Sequence, residues 1–487
     1  VDQQVFALNQ GTGRGHLAVN PAAPASEALE TSPPGGTAPT LPFRLYYPEG
    51  FVGNNISTYV PILNPNSQPA TVFVIARWEG SGARDQVIGT LTIGANSRSG
   101  LTLLTPDLLG GGNAPVNRDA TPYAVEIRSD RPVAATFSYY DTSPALTGGQ
   151  SSSLGEAFTS RVSSTWSFGR VLKGQGNTDF ILFYNTSESL TKVTTTLYPK
   201  NGGAAPFEFT FDLQPLRRGG LSINAIIADN FGRAVPDGEY AALVSASGGA
   251  PIVAALSHYN SVDRVAETSI GTPGAGSVSG VIPEGQVGQG DATEVVSVLN
   301  TTVGTPATVN LSFIFANGST YRTSVTAPAR SVVTLDVNSL PGFNDVGRGQ
   351  PYATFFQSNV PVTVNVPTTA FDDQLDTATA ERGFSQWAFA EGFRPADGSG
   401  HPGVREYLRL FNPGLTQTTV EITMAYDNGV ASETFRRTLE PRQVLQLEVD
   451  TLVTGFRRGI SVWFGINVKS QSPIVAYMAH IDRFFPG

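Results

Sequence analysis

The sequence predicts an all-β protein: four tandem antiparallel β-sandwich (Ig-like) domains preceded by an extended N-terminal arm. Three observations carry that expectation. Four markers recur in a fixed order, roughly every 110–120 residues, which is the size of one domain. Within each recurrence apolar and polar residues alternate, the period of a strand with one wet face. Gly and Pro, 52 and 34 of the 487 residues, fall between the apolar runs and punctuate them as turns.

The first marker is a turn of the form aromatic-x-Glu-Gly. It reads Tyr47-Pro48-Glu49-Gly50, a degraded Phe168-Gly169-Arg170, Ile282-Pro283-Glu284-Gly285 and Phe389-Ala390-Glu391-Gly392. The second is an apolar run ending in Asn64, Asn185, Asn300 or Asn412. The third is an Arg before an alternating strand: Arg98, Arg218, Arg330 and Arg442. The fourth is a Pro followed by a β-branched residue: Pro132-Val133, Pro251-Ile252, Pro361-Val362 and Pro473-Ile474.

Taken along the chain, the arm comes first. It holds two strand-like pieces, Val5-Phe6-Ala7-Leu8 and His16-Leu17-Ala18-Val19, and then a Pro/Ala-rich linker over 20–41. That composition has little to bury. The four domains are placed at 42–142, 164–264, 280–373 and 386–483. Between them lie a Ser-rich bridge, a Gly/Ser/Thr/Pro bridge at 268–279 and an acidic connector. The fourth domain shows the pattern best. Val420 to Tyr426 alternates, Asp427-Asn428-Gly429 turns the chain because Asn-Gly tolerates positive φ, and Thr434 to Leu439 returns. Short helical turns are expected near Leu104–Leu109, Ala225–Asn230 and Asp450–Val453.

Composition narrows the function. A net charge of −9 opposes nucleic-acid binding, which needs a basic stripe. There is no Cys, which removes disulfides, thiol nucleophiles and thiolate metal sites. No stretch reaches the ~18 apolar residues of a membrane span. The chain opens on Val1, which suggests a precursor cut behind a signal peptide.

Candidate chemistry is thin. Glu49, Glu284 and Glu391 recur, but Arg170 replaces them once, so the expected role is a turn carboxylate paired with a backbone amide or the recurring Arg. That Arg is expected to span strands or satisfy carbonyls. His258 and His480 fall at matched positions, with Tyr139 and Ala370 read as their counterparts; His16 and His401 have none. No zinc spacing and no G-x-S-x-G elbow is present. Asp372, Asp373 and Asp376 in the connector are a weak calcium candidate, with solvated linker charge the blander reading. No cofactor is otherwise called for. Five glycosylation sequons (Asn55, Asn185, Asn300, Asn310 and Asn317) are about the number chance supplies.

The Glu-Gly, Leu-x-Asn-Pro and Pro-Val/Ile-Val-Ala pattern resembles a module of secreted bacterial cell-surface proteins. Phe389-Ala390-Glu391-Gly392, Leu410-Phe411-Asn412-Pro413 and Ser472-Pro473-Ile474-Val475-Ala476 carry it best. The resemblance implies tandem β-sandwiches outside the cell and no activity.

The expected function is therefore an extracellular structural protein, not an enzyme, that assembles with copies of itself into a surface layer, sheath or filament. The arm would join subunits by adding a strand to a neighbour's sheet edge, burying Val5, Phe6, Leu8, Leu17 and Val19. The alternative is an adhesin that binds cell-envelope glycans, with Trp78, Trp166, Trp387 and Tyr407 stacking on sugars.

Overall fold

A computed structural model describes residues 5–10 and 40–482, apart from 52–55, 81–84, 104–121, 142–150, 203, 263–264, 288–291, 348, 371–372, 381–382, 398–403, 428–429 and 454–459. Among the described residues the protein is a series of antiparallel sheets with a single short α-helix at Phe343–Gly347.

Four sandwich modules follow one another. In the second, one sheet holds Phe207–Leu213, Thr191–Pro199, Gly238–Ala246, Thr165–Lys173 and the short Thr272–Pro273; the facing sheet holds Arg218–Ser222, Asn177–Asn185, Ile252–Asn260 and Val265–Ile270. In the third and fourth modules one long strand serves both sheets. Tyr352–Ala370 pairs with Ala307–Phe315 through its first half and with Thr293–Asn300 through its second. The switch comes near Pro361, which lacks the amide a continuous ladder needs. The faces between the sheets bury the alternating apolar residues, among them Val298, Val309, Leu311 and Phe313 in the third module.

The recurring Glu-Gly turn has a packing reason. A Cβ on Gly50, Gly285 or Gly392 would stand 2.3, 2.0 or 2.2 Å from the rings of Tyr123, Tyr352 and Phe464, respectively. Each of those aromatic residues also donates its backbone amide to the same glycine's carbonyl, at 2.8, 3.0 and 3.0 Å. Only glycine lets an aromatic ring lie on the turn.

Several bridges read from composition are strands. Ser151–Ala157 pairs with Ala134–Asp141, Val265–Ile270 with Ile252–Asn260, and Asp373–Ala378 with the end of Tyr352–Ala370. Ser-rich and acidic composition concealed them because pairing satisfies the backbone whatever the side chains are. Ser151–Ala157 lies beside Val265–Ile270, and Val265–Ile270 beside Asp373–Ala378. The arm strand Val5–Gln10 lies beside Asp373–Ala378 and pairs antiparallel with Ser151–Ala157, which closes a circle of four. Each of the first three modules thus sends its last strand to a common centre. The arm, from the opposite end of the chain, takes the fourth place. The arm was expected against its own domains or on a neighbour's edge, and here its strand pairs within its own chain; Leu17 and Val19 lie outside the described residues.

The helical turn expected at Ala225–Asn230 is instead the start of a tight hairpin, with an isolated bridge between Ala228 and Ala234. Asp450–Val453 begins with a 3-10 turn, Val449–Thr451. Leu104–Leu109 falls outside the described residues.

Candidate functional site

The recurring polar residues meet at the junctions between modules. Glu49 leaves the first module and accepts hydrogen bonds in the second, from Ser257 and from Thr268 at 3.3 Å. Glu391 of the fourth module accepts one from Ser138 of the first. Ser138 and Ser257 occupy the same place, six residues after the recurring Pro. Glu284 of the third module reaches Arg409 (2.5 Å) and Tyr407 (3.1 Å) of the fourth. The second module has Gly169-Arg170 here, and the Gly169 amide donates to Asn365 of the third at 3.0 Å. The expected local amide is therefore replaced by a side chain of the next module, while the recurring Arg218, itself in the second module, acts on Glu49 through its charge. First reaches second, second third, third fourth, and fourth first. One repeated contact that closes after four steps is a cyclic arrangement.

The cross-strand register divides the four arginines. Arg98 and Arg218 face Leu63 and Tyr184 across their sheets; in the third and fourth modules Val332 and Val444 hold that place, facing Leu299 and Phe411. Arg330 and Arg442 stand two residues earlier, with Asn96 and Leu216, and all four have φ between 46° and 59°. Sequence spacing could not see the offset, since a turn absorbs two residues without moving the strands. Arg98 donates to Ala390 O at 2.8 Å and pairs with Asp427 at 2.8 Å, both in the fourth module. Arg218 repeats this on the first, donating to Pro48 O at 3.4 Å and pairing with Glu79. Val332 instead packs with Leu299 against Tyr198 and Ala241 of the second module. Two junctions are thus fastened by arginine at this place and two by valine.

The junction of third and fourth modules holds a buried ion pair. Arg409 and Glu284 are both fully buried. Arg409 also donates to Gly285 O (3.0 Å) and Gln446 (2.6 Å), and its guanidinium lies 5.1 Å from the Tyr407 ring. Burial works against its charge, but Glu284 and Tyr407 outweigh it and hold the proton more tightly than usual. Between first and second modules, Glu126 accepts from Arg77 (2.9 Å) and from Tyr184 of the second module (3.0 Å), while Arg217 of the second pairs with Asp85 at 2.6 Å. Burial raises the Glu126 carboxyl, and Arg77 and Arg128 more than reverse it.

The asparagines act inside each module. Every Nδ2, with two N–H groups, lies 2.8–3.3 Å from three carbonyls: Asn64 from Gln68, Ile93 and Gly94; Asn185 from Ser189, Leu213 and Gln214; Asn300 from Thr305, Ala327 and Pro328; Asn412 from Thr416, Leu439 and Glu440. Every Oδ1 accepts the amide two residues on. Asn185 and Asn300 are fully buried, so neither sequon can present its amide to a sugar.

One position escaped the sequence reading. Six residues before the recurring Asn stand Asp179, Glu294 and Glu406, with Thr58 in the first module. Each acid accepts the backbone amide two residues past the Glu/Arg turn position: Leu172 (2.6 Å), Gln286 (3.0 Å) and Phe393 (2.8 Å). An acid six residues before Asn was the available signal. Cross-strand from them lie His258, Thr368 and His480, and Tyr139 faces Thr58. The counterpart of the histidines in the third module is thus Thr368, not Ala370. His258 Nδ1 lies 2.6 Å from Asp179, both buried. Burial disfavours its imidazolium, yet Asp179 and Glu267 carry its pKa above the ordinary value. Burial, with the Glu284 carboxylate adding to it, pushes Glu294 up to about 8.

Trp78, Trp166, Trp387 and Tyr407 are at most 3% exposed, so none can meet a sugar ring. Trp166 and Trp387 each donate the indole N–H to a carbonyl, Ile252 O and Ile474 O, at 2.9 Å. Asp373 and Asp376 lie on a strand, opposite Ala370 and Pro367; Asp372, His16, His401 and Asn55 lie outside the described residues. No cluster of metal-ligating groups occurs among the described residues.

A family model matches in the second half of the chain. Residues 277–381 and 382–484 each match the family model of the Anabaena sensory rhodopsin transducer. A solved structure from Thermotoga maritima, protein 1070, is 20% identical over 21% of this chain and 92% of its own, with a TM-score of 0.19. The structure of the Anabaena sensory rhodopsin transducer is 27% identical over 20% of this chain and 87% of its own, with a TM-score of 0.17. A tetra-tandem repeat from the extending region of a large adhesion protein is 11% identical over 86% of this chain and 92% of its own, with a TM-score of 0.12. A search of curated proteins returns no match.

Proposed function

We propose that this protein is a non-enzymatic structural scaffold outside the cell, one that assembles with copies of itself into a layer, sheath or filament. The observation that carries the reading is where the recurring polar residues go: Glu49, Glu284, Glu391, Arg98 and Arg218 all hold one module to the next. Repeats conserved for contact are what a building block needs; a catalytic constellation would be written once. The match of two modules to a transducer family fits a role in binding other macromolecules. The extracellular placement rests on the resemblance to surface-protein modules.

Negative-stain microscopy of the purified chain over a concentration series tests the assembly. Ordered polymers or sheets should grow with concentration. Single particles at every concentration would end this reading.

A further inference from the structure

The central circle holds a slot that the ring builds without the arm. In each of the first three modules a closing strand pairs with Ala134–Asp141, Ile252–Asn260 or the end of Tyr352–Ala370. The matching stretch of the fourth module, from Val475 to Asp482, pairs on one side with Val404–Phe411. Among the described residues, no strand of the fourth module pairs with its other side. The arm strand Val5–Gln10 lies beside Val462–Asp482 and pairs with Ser151–Ala157, from Val5 opposite Glu156 to Gln10 opposite Ser151.

The walls of this slot stand by themselves. Ser151–Ala157 is held by the first module. The ring closes through Arg98, which donates to Ala390 O and pairs with Asp427, and through Ser138 on Glu391. None of these contacts involves the arm. An empty slot leaves a row of backbone groups unpaired, so it takes up a strand whichever chain supplies one.

The arm is the part of the molecule that can change chains. Residues 11–39 join Gln10 to Thr40. Extended, such a tether spans up to about 100 Å, whereas a compact chain of this length is roughly 60 Å across. The arm is therefore long enough to reach the slot of a neighbour. The strand contacts are the same in either chain, so the tether alone decides between them. A flexible tether keeps its own strand at an effective concentration on the order of 1 mM, less as it lengthens. At that concentration neighbours stand roughly 120 Å apart, twice the breadth of the ring. Copies in contact are closer than that and outcompete the tether.

We infer that this slot is the joint between copies: in the assembled state the Val5–Gln10 strand of one chain fills the slot of the next. Main-chain hydrogen bonds supply the affinity, as in other strand additions. Each chain carries one arm and one slot, so the contact is heterologous and passes from copy to copy. This inference rests on the self-assembly reading and names its contact.

The chain has no Cys, so two cysteines set across the pairing report which chain the arm has entered. Leu8 lies opposite Ser153. Dilute protein carrying both Leu8→Cys and Ser153→Cys should close a disulfide within one chain under mild oxidation. Failure to close would show the pairing absent and overturn the slot. Chains with Leu8→Cys alone are then mixed with tagged chains carrying Ser153→Cys alone, where microscopy shows polymers. Disulfide-linked pairs of unlike chains should be at least ten-fold more abundant than when Thr210→Cys, exposed on the outer strand Phe207–Leu213, replaces Ser153→Cys. Polymers without that excess would overturn the exchange and leave self-assembly standing. No polymers at any concentration would overturn both.

Discussion

At the scale of single residues, this chain spends polar groups on buried positions and pairs most of them. Each recurring Asn touches four backbone groups, an arrangement no apolar residue of the same shape could replace, because the carbonyls around its Nδ2 would lose their donor. Glu294 is the expensive exception. Its ordinary value is 4.5 and burial raises it to about 8, so the folded protein binds its proton more tightly than the unfolded chain. The stability this gives is complete below pH 4.5 and is lost as pH rises towards 8. The slope is on the order of 1.4 kcal/mol per pH unit within that window. Glu294→Gln keeps an acceptor for the Gln286 amide and removes the titration. Urea midpoints taken at pH 5 and pH 8 should converge for the variant and fall for the wild type; equal losses would contradict the assignment. His258 adds in the same direction: its raised pKa gives stability that is full below the unfolded value and fades as pH rises through the folded one.

At the scale of elements, the arm strand matters most. Val5–Gln10 covers the edge of Ser151–Ala157 and completes the central circle. An uncovered edge exposes a row of unpaired amides. Deleting residues 1–10 should therefore speed hydrogen exchange at 151–157 by at least ten-fold while leaving the outer strands Phe207–Leu213 and Glu433–Leu439 unchanged. Exchange unchanged at 151–157 would show that the arm does not sit there in solution. Module junctions differ in kind. Those fastened by Arg98 and Arg218 carry ion pairs, while Val332 takes that position with neutral packing.

At the scale of the whole molecule, four similar units on one chain can form a string or a ring. The contacts Glu391 to Ser138 and Arg98 to Asp427 join the last module to the first, which a string cannot do. A compact chain of 487 residues has a radius of gyration of about 23 Å, and a straight string of four such units would have roughly twice that. Small-angle scattering at concentrations where the chain is monomeric should return the smaller number; the larger one would exclude the ring. Placing four units on one chain also lets each junction differ. Glu284 faces Arg409 where its sisters face serine, and the Glu position and the facing serine are lost together between second and third modules, as Arg170 and Pro367.

Local rules settled much of this. Alternation and the Glu-Gly marker are short-range consequences of strand pleating and backbone sterics, so the all-β class and the tandem repetition were legible along the chain; Asn428-Gly429 lies outside the described residues. The Asn and Glu markers were also visible, though not what they touch. What stayed hidden depends on distance in space. The Ser-rich and acidic connectors became strands because another strand lay beside them, and Asp179, Glu294 and Glu406 gained their place from a turn brought across the module. The tryptophans went inside because the faces closed over them. Sequence fixes which residues pair within a sheet through its period of two, but nothing periodic encodes which module meets which. Only the closed tertiary arrangement decided that the arm turns back into its own chain.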